Sequence, residues 1–138
     1  MDIDLARRLL VLEHIAITDP VKVPAKVGGA LKVGGTLLFS TPNVCNLSNV
    51  IALCLGHNIF WPKNIFYGSL DRHNREWTPS EARSAFVDAG FGERAFFGIN
   101  DHSNWRTGAS DLAYRIVGEL GETHSMLRNT IVGVFSKT

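Results

Sequence analysis

The sequence has only two cysteines for disulfide or thiolate chemistry. Cys45 and Cys54 lie nine positions apart, without the CxxC spacing of many zinc sites. We expect both on one helix, which argues against a disulfide framework or a zinc site. We interpret them as small buried side chains in a reducing compartment.

Long apolar runs and an excess of charge are also missing. No stretch approaches the ~20 consecutive apolar residues of a membrane span, and the first residues, with two aspartates, do not form a secretory signal. A net charge of +1 offers no basic face to nucleic acid or an anionic membrane. The composition, 45% hydrophobic and 20% charged, predicts one globular domain over residues 1–138, with the cytoplasm as the expected location.

The stretch from Gly34 to Asn43 reads as the centre of an α/β sheet. Two glycines supply a turn with positive φ, and the run Leu37–Phe39 shows no in/out alternation. Pro42 cannot donate to a sheet ladder and stops the run. The pattern predicts a buried parallel strand.

The segments on either side of this strand carry helix signals of unequal quality. Asp19-Pro20 is typical of a helix start, but Pro24 falls past the first turn and Gly28-Gly29 interrupts the apolar stripe, so we expect a short, broken or bent helix. After the strand, Asn43 or Asn46 can cap a second helix. Its apolar positions follow helical spacing and are Leu47, Val50, Ile51 and Cys54.

The clearest local signal is a capping box at Thr78-Pro79-Ser80-Glu81, which predicts a helix ending at Gly90. A long aromatic loop, residues 57–74, precedes it and is typical of a functional loop or lid. Phe96-Phe97 and Thr130–Ser136 predict strands. Between them we expect a helix with four inward-facing residues, Leu112, Ile116, Val117 and Leu120.

Several motifs, taken in order, resemble one family. They are Leu12-Glu13-His14, Lys32-Val33-Gly34-Gly35, Thr41-Pro42-Asn43 and the run from Arg72 to Pro79. In that order they resemble the C-terminal half of a class I S-adenosylmethionine-dependent methyltransferase. They look closest to the bacterial group with "LEH", "KPGG", "TPN" and "RHNREYTP" motifs. The resemblance covers about Leu5 to Phe135.

The resemblance implies a partial Rossmann-like sheet of the family's strands four, five, seven and six, with strand seven antiparallel and strand four at Met1–Ala6. Val33 replaces the usual proline of "KPGG". No glycine-rich GxGxG loop is present, so the N-terminal cofactor half of the family is absent from this sequence. Strand four then exposes an edge. The chain is accordingly interpreted as a fragment, as a dimer or partner complex across that edge, or as a reused remnant.

The resemblance places Glu13 and His14 beside the methyl-transfer pocket. His14 could act as general base on the acceptor, and Glu13 could orient it. Two alternatives remain open: a divalent metal site, which the resemblance disfavours because Leu10 replaces a further glutamate, and a hydrogen-bonded structural pair at a strand exit. We predict no metal.

The remaining site residues are also expectations from the resemblance. Leu10 and Leu12 are predicted to contact the cofactor. The predicted substrate contacts are Asn43, Tyr67, Arg72, His73 and Arg75. The structural alternatives are that Asn43 caps its helix and that the segment from Arg72 to Trp77 only fixes the entry of the capped helix, with Glu76 pairing to an arginine.

The function implied is methyl transfer from S-adenosylmethionine to an oxygen or nitrogen of a small molecule or glycan. Because half of the pocket is missing, we expect the cofactor to bind this chain weakly or not at all. The alternative is a non-catalytic interaction module that completes its sheet with a partner chain. A dehydrogenase-type nucleotide module is disfavoured because nothing here can hold a pyrophosphate.

Overall fold

The computed structural model describes residues 3–9, 13, 22–60, 75–100, 116 and 119–138. Its strands are β1 (Ile3–Leu9), β2 (Leu31–Pro42), β3 (Phe91–Ile99) and β4 (Thr130–Lys137). Its helices are α1 (Lys22–Ala30), α2 (Leu47–Cys54) and α3 (Pro79–Val87), with a 3₁₀ turn at Ser125–Leu127.

The four strands form one mixed sheet in the order β1-β2-β4-β3. β1 runs parallel to β2, whereas β4 is antiparallel to both of its neighbours. This order agrees with the expected succession of strands four, five, seven and six, with the reversed strand in the third place. The first strand is described from Ile3 to Leu9, so it runs three residues past the predicted end at Ala6, and the predicted start at Met1 lies outside the described residues.

The central strand β2 alternates, contrary to the prediction. Leu37 and Phe39 are fully buried, whereas Leu38 between them is 39% exposed. The strand is also longer than expected, because residues 32–35 bulge out between the pairs Ile3↔Leu31 and Leu5↔Thr36. Gly34 alone of the glycine pair has positive φ.

Helix α1 is continuous, because its proline lies in the first turn, where a missing N–H does not interrupt the helix. Lys22 is its first residue, so Pro24 lies in the first turn, where backbone N–H groups have no intrahelical acceptor. The absence of a side chain at Gly28 lets the helix approach the sheet, since an added Cβ would lie 3.3 Å from Phe91. The expected start at Asp19-Pro20 lies outside the described residues.

The core lies between the sheet and helices α1 and α3. Phe39 stacks on Phe86 of α3 with ring centroids 4.3 Å apart, and Phe135 of β4 lies 4.9 Å from Phe86. The capping box of α3 is present as predicted, with Thr78 as N-cap and Glu81 at its third position. This core fixes β2 relative to α3.

The apolar positions of α2 are exposed, and the prediction of inward-facing residues around Leu120 is wrong. In α2, Val50, Ile51 and Cys54 are exposed, and no residue of that helix is buried. Ile116 and Leu120 are half-exposed instead of facing inward. Leu112 and Val117 lie outside the described residues.

The cysteine expectations are corrected in part. Both thiols are free, as expected. Cys54 is exposed on α2, and Cys45 is half-buried in the turn before that helix.

Candidate functional site

The carboxyl ends of the parallel strands β1 and β2 bring two polar side chains together. Glu13 follows β1, and Thr41 lies near the end of β2. The Thr41 hydroxyl donates to Glu13 Oε2 at 3.1 Å, and both residues are buried. Open α/β sheets bind ligands outside this edge. The pair is therefore the candidate site.

Glu13 is held at the backbone as well as at the side chain. Its carbonyl oxygen accepts from the Arg75 N–H at 3.3 Å, which links the end of β1 to the segment before α3. The residue is 5% exposed. An ionised carboxylate has about four acceptor positions, and Thr41 fills one of them among the described residues.

Asn43 is engaged by the protein itself. Its Nδ2 donates to the carbonyl oxygens of Met126 and Arg128, both at 2.8 Å, and its Oδ1 accepts from the Cys45 N–H at 2.9 Å. The residue is 1% exposed. These bonds tie the end of β2 to the turn before β4. The predicted substrate contact at Asn43 stays a prediction, and its visible role is to hold this turn.

The helix cap expected after β2 belongs to Asn46. Its Oδ1 accepts from the Asn49 N–H at 2.9 Å, and its Nδ2 donates to the Asn43 carbonyl at 2.8 Å. Asn49 Nδ2 in turn donates to the Val44 carbonyl at 3.0 Å. Three asparagines therefore turn the chain from β2 into α2 without a charged group.

Arg75 is engaged with the start of α3. Its Nη2 donates to Glu81 Oε1 at 2.9 Å, and its guanidinium carbon lies 4.7 Å from the centre of the Trp77 ring. Both partners of the ion pair are half-exposed. The bond to Glu81 supports the structural alternative, and the pairing of Glu76 with an arginine stays a prediction. The substrate role of Arg75 stays a prediction.

Trp77 joins the segment before α3 to the end of β2. Its carbonyl oxygen accepts from the Val44 N–H at 3.0 Å, and it bridges to Asn43 as a short parallel strand pair. The ring is 1% exposed, yet its indole N–H has no hydrogen-bond partner among the described residues.

Six predicted site residues lie outside the described residues: His14, Leu10, Leu12, Tyr67, Arg72 and His73. Thr41 was missed by sequence reasoning. Its signal was available, because it lies two residues before Asn43 and therefore on the same side of β2. Within the described ranges, no group of three acidic, histidine or cysteine side chains could hold a metal ion. No helix in that part of the chain is long and apolar enough to cross a membrane.

No protein-family model and no curated protein matches the sequence. Several solved structures are similar to this chain. A chain in the complex between the Haloferax volcanii Trm112 methyltransferase activator and its methyltransferase aligns with 98% of this chain at a TM-score of 0.55 and 20% identity, over 55% of that chain. An S-adenosylmethionine-dependent methyltransferase from Mesorhizobium loti aligns with 97% of this chain at 0.52 and 18%, over 62% of that chain.

A third methyltransferase, from Clostridium acetobutylicum, aligns with 97% of this chain at a TM-score of 0.51 and 14% identity, over 58% of that chain. The chain therefore has a methyltransferase fold, and it spans little more than half the length of these neighbours.

Proposed function

We propose that the chain is the C-terminal portion of an S-adenosylmethionine-dependent methyltransferase that methylates an oxygen or nitrogen of a small molecule or glycan. One observation carries the proposal: almost the whole chain aligns with methyltransferases while covering 55–62% of them. The sheet order, with its single reversed strand β4, supports it. The bacterial motif group and the acceptor class rest on the sequence resemblance.

Described residues fit the acceptor side of such a pocket better than the cofactor side. Glu13 lies at the sheet edge where open α/β sheets bind ligands, and it accepts from Thr41 there. The sequence has no glycine-rich loop that could cradle the cofactor. When bound, S-adenosylmethionine supplies a methyl group on a sulfonium. We propose Leu10 and Leu12 as contacts to it.

The chain's own part in the reaction is to position the acceptor and take its proton. With S-adenosylmethionine bound, the acceptor oxygen or nitrogen would form a bond to the methyl carbon as the sulfur–methyl bond breaks, and the electron pair of that bond would stay on sulfur. We propose that the acceptor proton passes to His14, with Glu13 orienting the imidazole from its fixed place on Thr41. Tyr67, Arg72 and His73 are proposed to close over the acceptor.

The first experiment is a calorimetric titration of the folded 138-residue chain with S-adenosylhomocysteine, together with its oligomeric state. We expect binding at least ~100-fold weaker than that of a complete methyltransferase, because the loop that holds the cofactor is missing. Micromolar binding by a monomer would contradict the proposal that this chain lacks half of the cofactor pocket. Micromolar binding by a dimer would instead show that a second copy completes the pocket.

A second experiment concerns the native polypeptide that carries these residues, with its partner if it has one. If the native polypeptide also fails to bind S-adenosylhomocysteine, the proposal is overturned. If it is active, Glu13→Gln should lower kcat by roughly 10- to 100-fold, because a displaced base loses part of the 10²- to 10⁴-fold of general-base catalysis. Glu122→Gln, an exposed position distant in sequence, is the matched control.

The alternative function is a non-catalytic module that completes its sheet with a partner. The outer edge of β1 favours it, since β1 has one partner strand, β2, among the described residues. One neighbour is solved with a protein activator, which makes a partner chain reasonable to propose here. A partner that contains the glycine-rich loop would support this alternative, and a single polypeptide with both halves would contradict it.

A further inference from the structure

The hydroxyl group of Thr41 lies in an otherwise apolar row of the central strand β2. Leu37, Phe39 and Thr41 are spaced two residues apart, so they lie on the same side of the sheet, and all three are fully buried. Across the ladder Thr41 pairs with Ile131, which is also buried. Valine has a similar shape and would fill this position without a polar group in the core. Packing therefore does not require the hydroxyl group.

The Thr41 hydroxyl group instead serves the carboxyl group of Glu13. A hydroxyl group that is buried without a hydrogen bond costs free energy, and Thr41 Oγ1 avoids this cost by donating to Glu13 Oε2 at 3.1 Å. The two residues are 28 positions apart in the chain. They meet because β1 and β2 are parallel neighbours, whose carboxyl ends lie at the same edge of the sheet. The bond therefore links the candidate site to the core.

Thr41 gives this donor a rigid support. β2 is an inner strand, and Asn43, two residues later, makes three side-chain hydrogen bonds. A β-branched side chain has few χ1 rotamers, whereas the last torsion of a glutamate is broadly distributed. The backbone of Glu13 is held by the Arg75 N–H. Among the described residues, the Thr41 hydroxyl group is the contact that orients the Glu13 carboxyl group.

We propose that Thr41 is a positioning residue of the candidate site, whose hydroxyl group sets the orientation of the Glu13 carboxylate and acts on the reaction through it. This inference rests on the function proposed above, in which Glu13 orients the general base. A threonine that only packs would stabilise β2 whatever residue stood at position 13. A positioning threonine depends on the carboxylate, because its buried hydroxyl group loses its acceptor when the carboxylate is removed.

The orientation is tested by NMR of the folded 138-residue chain with ¹³C-labelled glutamate. Thr41→Val should shift the signal of the Glu13 carboxyl carbon, because the donor is lost, and Thr41→Ser should keep it near the wild-type position. Thr130→Val is the matched control. It removes a hydroxyl group at the same edge, on the residue that pairs with Pro42, where Oγ1 donates to Asn129 Oδ1. An unmoved signal in Thr41→Val, or an equal movement in Thr130→Val, would overturn the proposal.

A double-mutant cycle separates positioning from packing. Thr41→Val should lower the urea midpoint of the otherwise wild-type chain, because the Glu13 carboxylate loses its donor. In a Glu13→Leu background the same substitution should leave the midpoint unchanged or raise it, because the hydroxyl group has no carboxylate to bond there. A fall of equal size in both backgrounds would show a packing role and contradict the positioning role.

The effect on the reaction is measured in the native polypeptide that carries these residues, as release of S-adenosylhomocysteine. Thr41→Val should lower kcat by roughly 5- to 10-fold with an unchanged KM for S-adenosylmethionine, and Thr41→Ser should restore kcat. An active enzyme with the same kcat in Thr41→Val overturns this role and leaves the proposed function standing. If the native polypeptide does not bind S-adenosylhomocysteine, the proposed function fails, and the Glu13 carboxyl signal still decides whether Thr41 orients that group.

Discussion

A single amide group, that of Asn43, joins the end of the central strand to the turn before the last strand. It makes three hydrogen bonds of 2.8–2.9 Å and is almost completely buried. A "TPN" motif suggests a cap or a ligand contact when only the chain order is known. The partners at Met126 and Arg128 are more than 80 positions away, so no local pattern could have indicated them.

Substitution of Asn43 should lower the free energy of unfolding, because the two donors of its side-chain amide would be lost. Asn43→Ala should lower the free energy of unfolding by roughly 2–4 kcal/mol, because it leaves buried backbone groups unpaired. Asn43→Asp should cost at least as much, since an oxygen would face two carbonyl oxygens. Chemical denaturation measures both. Asn49→Ala, which removes one bond of a half-buried side chain, should cost about 1 kcal/mol, and an equal loss in all three variants would contradict this role.

The capping glutamate of α3 should make stability depend on pH. The backbone N–H of Thr78 lowers the pKa of Glu81 below its usual value of 4.5, with smaller help from the Thr78 hydroxyl and Arg75. Because the pKa is lowered in the folded state, the stabilisation is fully present above the pKa of the unfolded chain and is lost as the pH falls through the lower folded pKa.

Glu81→Gln should therefore flatten the loss of stability between pH ~5 and ~3, measured by urea denaturation at each pH. The effect is modest, because the ion pair with Arg75 is half-exposed. Glu119→Gln, an exposed position outside α3, should leave the pH profile as it is. An unchanged profile in Glu81→Gln would show that the cap does not depend on the carboxylate charge.

Between elements, β2 and β4 meet at a position that admits no side chain. Gly133 pairs with Phe39 across the two strands, and a Cβ added there would lie 2.1 Å from a Phe39 ring carbon. The ring of Phe39 cannot retreat easily, because it stacks on Phe86 and Phe135.

Gly133→Ala should consequently destabilise the protein by about 1–3 kcal/mol through overpacking. Gly29→Ala is the matched control: an added Cβ on α1 meets nothing within 4 Å, and alanine should stabilise the helix by up to ~1 kcal/mol. Thermal unfolding compares the two variants. Similar melting temperatures for both would contradict the packing described for Phe39.

The elements differ in how well the sequence predicts them. The capping box of α3 depends on residues three positions apart, and its prediction is confirmed in detail. Helix α2 has the predicted spacing with its apolar positions exposed, and Ile116 and Leu120 are exposed where they were expected to face inward. Periodicity defines a face of a helix but not what covers it. Among the described site residues, Glu13 was predicted, whereas its partner Thr41 was not.

In the whole molecule, the two inner strands should be the last to open. β2 pairs with β1 and β4, and β4 pairs with β2 and β3, whereas β3 has a partner on one side among the described residues. Backbone amides of β2 and β4 should therefore exchange with deuterium more slowly than the outward amides of β3. Mass spectrometry of peptide fragments measures this, and faster exchange in β4 than in β3 would contradict the strand order.

The sequence by itself determined the α/β class, the strand order by resemblance, and the local caps, because turns, caps and strand ends depend on neighbours a few residues apart. Only the tertiary structure decided the partners of Glu13 and Asn43, the alternation within β2 and the outward face of α2. Those features depend on contacts between segments far apart in the chain, and a local pattern of residues cannot specify such contacts.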